Sequence, residues 1–113
     1  MKRCAFIALL VAVSAVAARA QAPDGKALYD ANCKKCHGVR GIPPQTIQRK
    51  YEKIVKFDEA FMAKHSTDSI VKVLTKGKDE DMKSFADKLS KDEMVAVANY
   101  VHELAAKSKA SGQ

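Results

Sequence analysis

The chain has 113 residues, which fits one domain and leaves little room for a second. Of these residues 47% are apolar and 29% are charged, and the formal net charge is +7. Acidic residues are interleaved with the basic ones, unlike the concentrated basic surface of a nucleic-acid-binding domain, so we expect no nucleic-acid partner.

The first 20 residues have the layout of a secretory signal peptide. Lys2 and Arg3 supply positive charge, and the 14 residues from Ala5 to Ala18 are apolar except for Ser14. A small-x-small cleavage site ends at Ala20. A membrane span needs about 20 apolar residues, so this run is short for an anchor, although an uncleaved signal is the alternative. We predict a cleaved signal peptide at residues 1–20 and a periplasmic domain at residues 21–113, with no stable membrane insertion after cleavage.

Removal of the signal leaves a smaller and less charged chain. Residues 21–113 number 93 and carry 17 basic and 13 acidic side chains, a net charge of +4, with 37 apolar residues and two cysteines. Domains of this size bury only about two-thirds of their unfolded surface, so small secreted domains usually add disulfides, a metal or a cofactor. One close cysteine pair cannot staple a chain of this length. We therefore expect a cofactor to complete the core.

The first half of this domain contains two predicted helices. One spans Asp24–Cys36, with Asp24 as its N-cap and with Gly38 and Gly41 ending it. After two prolines that force an extended turn, the apolar spacing predicts a second helix over Thr46–Lys56, capped by its first residue.

The second half adds further helices around one loop. A short helix or turn is predicted over Phe57–Lys64, and another helix begins at Ser66 or Thr67 and closes at Gly77. A polar loop follows over residues 78–85. The clearest helix then begins at Ser90, where Ser90 and Glu93 form a capping box, and its apolar face is Met94, Val97, Ala98, Val101, Leu104 and Ala105. The prediction is an all-α single domain with four or five helices.

The strongest chemical signal is Cys33-Lys34-Lys35-Cys36-His37, a C-x-x-C-H motif typical of c-type haem attachment. Residues three apart on a helical turn point the same way, so two thiols can meet two vinyl groups and form thioethers. The adjacent imidazole can then bind the iron as proximal ligand.

Three other chemistries use the same cysteine spacing. A thiol–disulfide redox pair expects a helix N-terminus within a βαβ pattern. Half of a zinc site would need His37, His65 or His102, whose spacings do not suit one. A tight structural disulfide is the third alternative.

The second axial ligand is predicted to be Met82. It is an apolar residue in the polar loop, and a bond to iron explains its presence there. Met62 and Met94 have sequence surroundings that indicate packing, and His65 is expected to be exposed. His65, or an open position, is the alternative at the distal side.

Taken together, these features resemble a small class I c-type cytochrome, and the resemblance covers residues 24–107. It implies one covalent haem c within a cytochrome c fold of four to five helices, held by Cys33 and Cys36, with His37 and Met82 on the iron. Lys83 departs from the family, which often has proline after the ligand methionine.

Further roles come from the same resemblance. A glycine and an aromatic residue in the first helix cross an aliphatic–aromatic pair in the last, a proline carbonyl accepts the N–H of the proximal histidine, and an aromatic residue follows the ligand methionine. Tyrosine and arginine side chains replace a tryptophan near the haem propionates. Gly25 and Tyr29 match the pair in the first helix, and Val97 and Tyr100 match the pair in the last helix. Pro43 or Pro44 matches the proline, and Phe85 matches the aromatic residue after the methionine. Tyr51 and Arg49 match the side chains near the propionates.

With both axial positions filled, the expected function is one-electron transport between redox proteins by a monomer, not enzymatic catalysis. The alternatives are a haem sensor or peroxidase-like protein with an open distal site, and a dedicated cytochrome subunit of a larger redox enzyme. Lysines around the predicted haem edge favour partners with acidic docking surfaces, although three acidic residues interrupt them. These lysines are Lys34, Lys35, Lys76, Lys78 and Lys83.

Overall fold

A computed structural model describes residues 22–111, so the predicted signal peptide lies outside the described part of the chain. Within residues 22–111 there are helices and no strands, which confirms the all-α prediction. No helix in this range is long and apolar enough to cross a membrane. The helices are α1 Gly25–Asn32, α2 Lys34–His37, α3 Gln45–Lys50, α4 Glu59–Lys64, α5 Thr67–Lys76 and α6 Lys91–Ala110.

The helix starts follow the side-chain caps that the sequence predicts. Asp24 accepts a hydrogen bond from the Ala27 N–H at the start of α1, and Ser66 caps α5 in the same way. At α6 the Ser90 hydroxyl and the Glu93 carboxylate each accept from the other's backbone, which completes the capping box. These local bonds satisfy amides that the helices leave unpaired.

The predicted helix Asp24–Cys36 is wrong in one respect, because it breaks at Cys33. Cys33 has φ −123° and ψ −37°, and its N–H donates to the Tyr29 carbonyl to end α1. Its own carbonyl accepts from Cys36 and His37, which starts α2. The single predicted helix therefore becomes two, which raises the helix count within residues 22–111 to six.

The predicted helix Thr46–Lys56 is also wrong at both ends. Helix α3 begins after Pro44, one residue earlier than Thr46, and it ends at Lys50. After a turn at residues 52–53 the chain is non-helical, and the Phe57 N–H donates to the Gly41 carbonyl over 2.8 Å. That long-range bond replaces the helical bonds that the apolar spacing had indicated.

Helices α1 and α6 cross at Gly25, as the resemblance implies. A Cβ at Gly25 would overlap the Ala96 carbonyl oxygen and lie 3.2 Å from the Tyr100 Cβ. Tyr29 is completely buried one turn later, with its ring edge-on to that of Tyr100 at 5.2 Å. The absence of a side chain at Gly25 therefore sets how closely the two helices approach.

Helix α6 is the centre of the core, because α1, α4 and α5 all pack against it. The apolar face predicted for this helix is buried along its length. The rest of the core comes from the other helices and the loops between them: Tyr29, Phe57, Ile70, Leu74 and Leu89.

Candidate cofactor site

The C-x-x-C-H motif spans α2, with Cys33 as the N-cap and with Cys36 and His37 as the last two residues of the helix. The Cys33 and Cys36 thiols are free and half-buried, and Cys33 packs against the core. Gly38 ends the helix with φ 83°, where a Cβ would overlap the Ile42 backbone. The Tyr29 hydroxyl donates to the Gly38 carbonyl over 2.7 Å and fixes this turn to α1.

His37 presents a ring that protein groups hold in place. It stacks on Phe57 with centroids 4.6 Å apart and planes inclined by 18°. Its Nδ1 is buried and has no hydrogen-bond partner among the described residues. Burial lowers the pKa of His37, and the charge of Lys78 lowers it further. A hydrogen bond with the backbone of Val55 acts in the opposite direction and raises it. The lowered pKa keeps the imidazole neutral at pH 7, and a neutral imidazole is the nitrogen donor that a haem iron requires.

Cys33 does not have the properties of a redox-active thiol, although it precedes the N-terminus of α2. Burial, and then the nearby Cys36, raise the pKa of Cys33 to about 11. A nucleophilic thiol needs the opposite shift, toward the thiolate. The raised pKa of Cys33 therefore argues against thiol–disulfide exchange.

Met82 lies in the loop between Gly77 and Phe85, half-buried and packed against the core. Its N–H donates to the Asp79 carboxylate over 2.8 Å, and its carbonyl accepts from the Lys78 N–H over 2.9 Å. The bond from Met82 lowers the pKa of Asp79, so this carboxylate is ionised at neutral pH. The backbone N–H and the carbonyl of Met82 are thus both hydrogen-bonded within the loop.

Electrostatic contacts bring three segments around one region. The charge of Lys78, beside the Met82 loop, acts on His37 at the end of α2. A hydrogen bond with Tyr51 raises the pKa of Lys50, and the charges of Asp81 and Cys36 raise it further. Helix α2, the end of α3 and the Met82 loop therefore lie near one another.

Comparison with known proteins identifies the family. The profile of a family described as "Cytochrome C oxidase, cbb3-type, subunit III" matches residues 20–101. The chain is a class I c-type cytochrome. It is 37% identical to a cytochrome c6 from Microcystis aeruginosa over 79 residues, which are 69% of this chain and 90% of that relative.

Two further relatives agree. A cytochrome c6 from Chlorolobion braunii is 32% identical over 88 residues, covering 75% of this chain and 92% of the relative. The solved structure of the KustC0563 c-type cytochrome is similar with a TM-score of 0.64 and 34% identity, over 72% of this chain and 96% of that one. The cytochrome is thus an electron carrier with covalently bound haem c and redox-protein partners, and not an enzyme.

The resemblance implies that a proline carbonyl accepts a hydrogen bond from the proximal histidine, and the structure differs on this point. Pro43 is fully buried, and its carbonyl accepts from the Gln48 side chain over 2.6 Å. The Pro44 carbonyl accepts from the Gln48 N–H. Neither carbonyl accepts from Nδ1 of His37, which has no partner among the described residues. Here the rigid turn caps α3 instead, and Phe57 holds the His37 ring.

The other candidate ligands have structural partners. His65 is half-buried, contrary to the expected exposure, because its ring stacks on Phe61 at 4.3 Å. The His65 carbonyl is bonded to Nε2 of His102 over 2.8 Å. Met94 is 4% exposed, and its sulfur lies 3.5 Å from the Thr75 hydroxyl, which donates to it. These contacts account for the side chains as packing groups.

The residues implied to lie near the haem edge and propionates are mostly at the surface. Arg49 is exposed, and Tyr51 is half-buried beneath the Lys50 ammonium. Phe85 is half-buried and its N–H donates to the Leu74 carbonyl, which anchors the end of the methionine loop. Among the lysines predicted around the haem edge, Lys34 is half-buried. The other four are exposed: Lys35, Lys76, Lys78 and Lys83.

The sequence does not predict two residues that contact the candidate ligands. Phe57 was assigned to a short helix, and nothing local shows that it contacts His37. For Asp79 the sequence predicts only a position in the polar loop over residues 78–85. A signal for Asp79 did exist, since Asp three residues before an amide in a loop commonly accepts a bond from it.

Proposed function

We propose that this cytochrome carries single electrons in the periplasm through one haem c. Thioethers from Cys33 and Cys36 hold the group, and His37 and Met82 are the axial ligands to its iron. The proposal depends most on one observation, the two free thiols on α2 that precede a half-buried His37 imidazole kept neutral by desolvation.

The protein side chains have separate tasks in this proposal. The bound group supplies the Fe(III)/Fe(II) couple. The Cys33 and Cys36 thiols would fix the position of the bound group, and the stack on Phe57 orients the His37 ring. A sulfur ligand from Met82 favours the reduced state. With both axial positions filled by protein, no position is open for a substrate, which suits electron transfer.

Surface charge supports partners with acidic docking surfaces. Lys35, Lys78 and Lys83 are exposed near α2 and the Met82 loop, and long-range attraction would steer an acidic partner toward this side. Glu80 and Asp81 in the same loop limit the patch. The proposed complex with a partner is therefore weak and short-lived. In this proposal the cytochrome binds its partner as a monomer.

Export to the periplasm rests on the sequence of residues 1–20, which supports removal before Gln21. The test is the N-terminal sequence of the haem-containing protein purified from a periplasmic fraction. Gln21 at the N-terminus supports export and cleavage. An intact Met1 in a membrane fraction contradicts both.

Covalent attachment is tested by extraction with acidified acetone, which removes haem held only by axial bonds. We expect haem to stay with the wild-type chain and with a Lys34→Ala control. It should be lost from a Cys33→Ala Cys36→Ala double variant. Retention of covalent haem by the double variant would show that the attachment residues are wrong.

A dedicated subunit of a larger redox enzyme is the second candidate, because the matching family is described as a subunit of an oxidase. Size-exclusion chromatography of the native periplasmic extract, followed by haem absorbance, separates the two. A carrier elutes at the size of the monomer. A docked subunit elutes with a larger complex.

A further inference from the structure

The loop that carries Met82 is closed by hydrogen bonds that one acidic side chain accepts. Oδ1 of Asp79 accepts from the Met82 N–H over 2.8 Å and from the Asp81 N–H over 3.0 Å. In the reverse direction, the Lys78 N–H donates to the Met82 carbonyl over 2.9 Å. Both backbone polar groups of Met82 are therefore engaged within residues 78–82.

The end of this loop is fixed to α5 separately. The Ser84 hydroxyl donates to the Thr75 carbonyl over 2.6 Å, and the Phe85 N–H donates to the Leu74 carbonyl over 2.7 Å. At Gly77, with φ 73°, a Cβ would lie 2.7 Å from the Ser84 backbone nitrogen. The two ends of the loop thus meet, and what remains to be fixed is the segment between them.

That segment contains no residue that stiffens the backbone by itself. Residues 78–83 include neither proline nor a β-branched side chain, and Lys83 leaves φ free after the methionine. A loop with such residues is mobile unless tertiary or side-chain bonds order it. Asp79 is the side chain that supplies two such bonds, both charge-assisted.

We propose that Asp79 is a positioning residue that holds Met82 in place at the haem iron. The inference rests on the proposed axial role of Met82. Asp79 itself does not touch the iron or the haem, and its carboxylate acts through the Met82 amide. Without this acceptor, the methionine would leave the iron more often, and a competing ligand would replace it more readily.

The test is titration of the ferric holoprotein with imidazole, which competes with Met82 for iron. Asp79→Ala removes the acceptor, and we expect imidazole affinity to rise about tenfold or more, since hydrogen bonds to a charged group are worth that much. Asp79→Asn keeps an acceptor oxygen, so its affinity should stay within about threefold of wild type. Glu80→Ala removes the same charge one residue away and makes no hydrogen bond among the described residues, so it should behave as wild type.

The outcomes separate this inference from the axial role of Met82. If Asp79→Ala binds imidazole like wild type, or if Glu80→Ala matches Asp79→Ala, the positioning role is wrong. Met82→Ala is run beside them, and an unchanged ferric spectrum in that variant shows instead that Met82 is not the ligand. If Asp79→Ala yields no holoprotein, amide exchange in wild type decides the question. The Met82 amide should exchange at least about tenfold more slowly than the Glu80 amide, and equal rates overturn the proposal.

Discussion

The ring of Phe57 stacks on the imidazole of His37, with 4.6 Å between the centroids and 18° between the planes. Phe57 is 7% exposed, and its N–H is bonded to the Gly41 carbonyl. A rigid buried ring therefore lies against the proposed proximal ligand. It limits rotation of that imidazole without a hydrogen bond to it.

Replacement of Phe57 by leucine should affect both stability and the His37 ring. We expect a loss of at least about 1 kcal/mol in unfolding free energy, because an aromatic pair contributes about 0.5–1.5 kcal/mol beyond its buried area. Denaturant unfolding of the ferric protein measures the loss. Phe61 packs on Phe57 at 5.0 Å and is unsuitable as a control, so Phe85→Leu is used, because Phe85 has no ring contact with Phe57 or His37 among the described residues. Only Phe57→Leu should shift the NMR resonances of the His37 ring, and identical shifts in both variants would refute the contact's role.

Substitution of Gly25 by alanine should destabilise the protein by about 1–3 kcal/mol, as expected for overpacking. The new Cβ would overlap the Ala96 carbonyl at the crossing of α1 and α6. This is the reverse of intrinsic helix propensity, which favours alanine. Ala31→Ser, at an exposed position of α1, should change stability by no more than about 0.5 kcal/mol. A stabilised Gly25→Ala variant would show that the helices are not in close contact there.

Tyr29→Phe should cost about 1–3 kcal/mol at neutral pH, because it leaves the buried Gly38 carbonyl without its donor. Burial raises the pKa of Tyr29 above its ordinary value of 10.0. The folded state therefore holds the phenol proton more tightly than the unfolded state does. The stability that this difference contributes is fully present below pH 10 and declines as the pH rises above it. Unfolding measured from neutral pH to about pH 11 should show the difference between wild type and Tyr29→Phe narrowing. A constant difference across this range would argue against the raised pKa.

Electron exchange with an acidic redox protein should slow as salt is added, because screening weakens the attraction of the lysines. Lys35→Gln, on α2, should lower the low-salt rate constant by about twofold or more, since charges at the rim of an interface act mainly on association. Lys107→Gln, in the last turn of α6, removes the same charge outside this patch and should have little effect. Stopped-flow kinetics at several ionic strengths measures both. Rates that are independent of salt would remove the steering role.

Local signals in the sequence predicted much of the fold. Asp24, Ser66 and Ser90 cap helices as expected because each bond joins residues three apart in sequence. Gly25 and Tyr29 match the close helix crossing that the resemblance implies. Such features depend on neighbouring residues or on a motif that already encodes the packing.

The errors occur where distant residues decide the local structure. The bond from Phe57 to Gly41 joins residues 16 apart and draws residues 54–57 out of a helical pattern. Phe61 covers His65, which a local pattern reads as a surface position before a helix. For the candidate site, the motif gives the attachment residues, but the contacts of His37 and Met82 depend on Phe57 and Asp79. These partners become visible only when the chain is folded.

The axial role of Met82 is the most decisive point, since it separates a carrier with a closed iron site from a sensor or peroxidase-like protein. The measurement is the optical spectrum of the purified ferric protein, recorded for wild type and for Met82→Ala. We predict a methionine–iron charge-transfer band in wild type and its loss in Met82→Ala, with covalent haem retained in both. A wild-type spectrum without this band, or a band that persists in Met82→Ala, would contradict the proposed ligation.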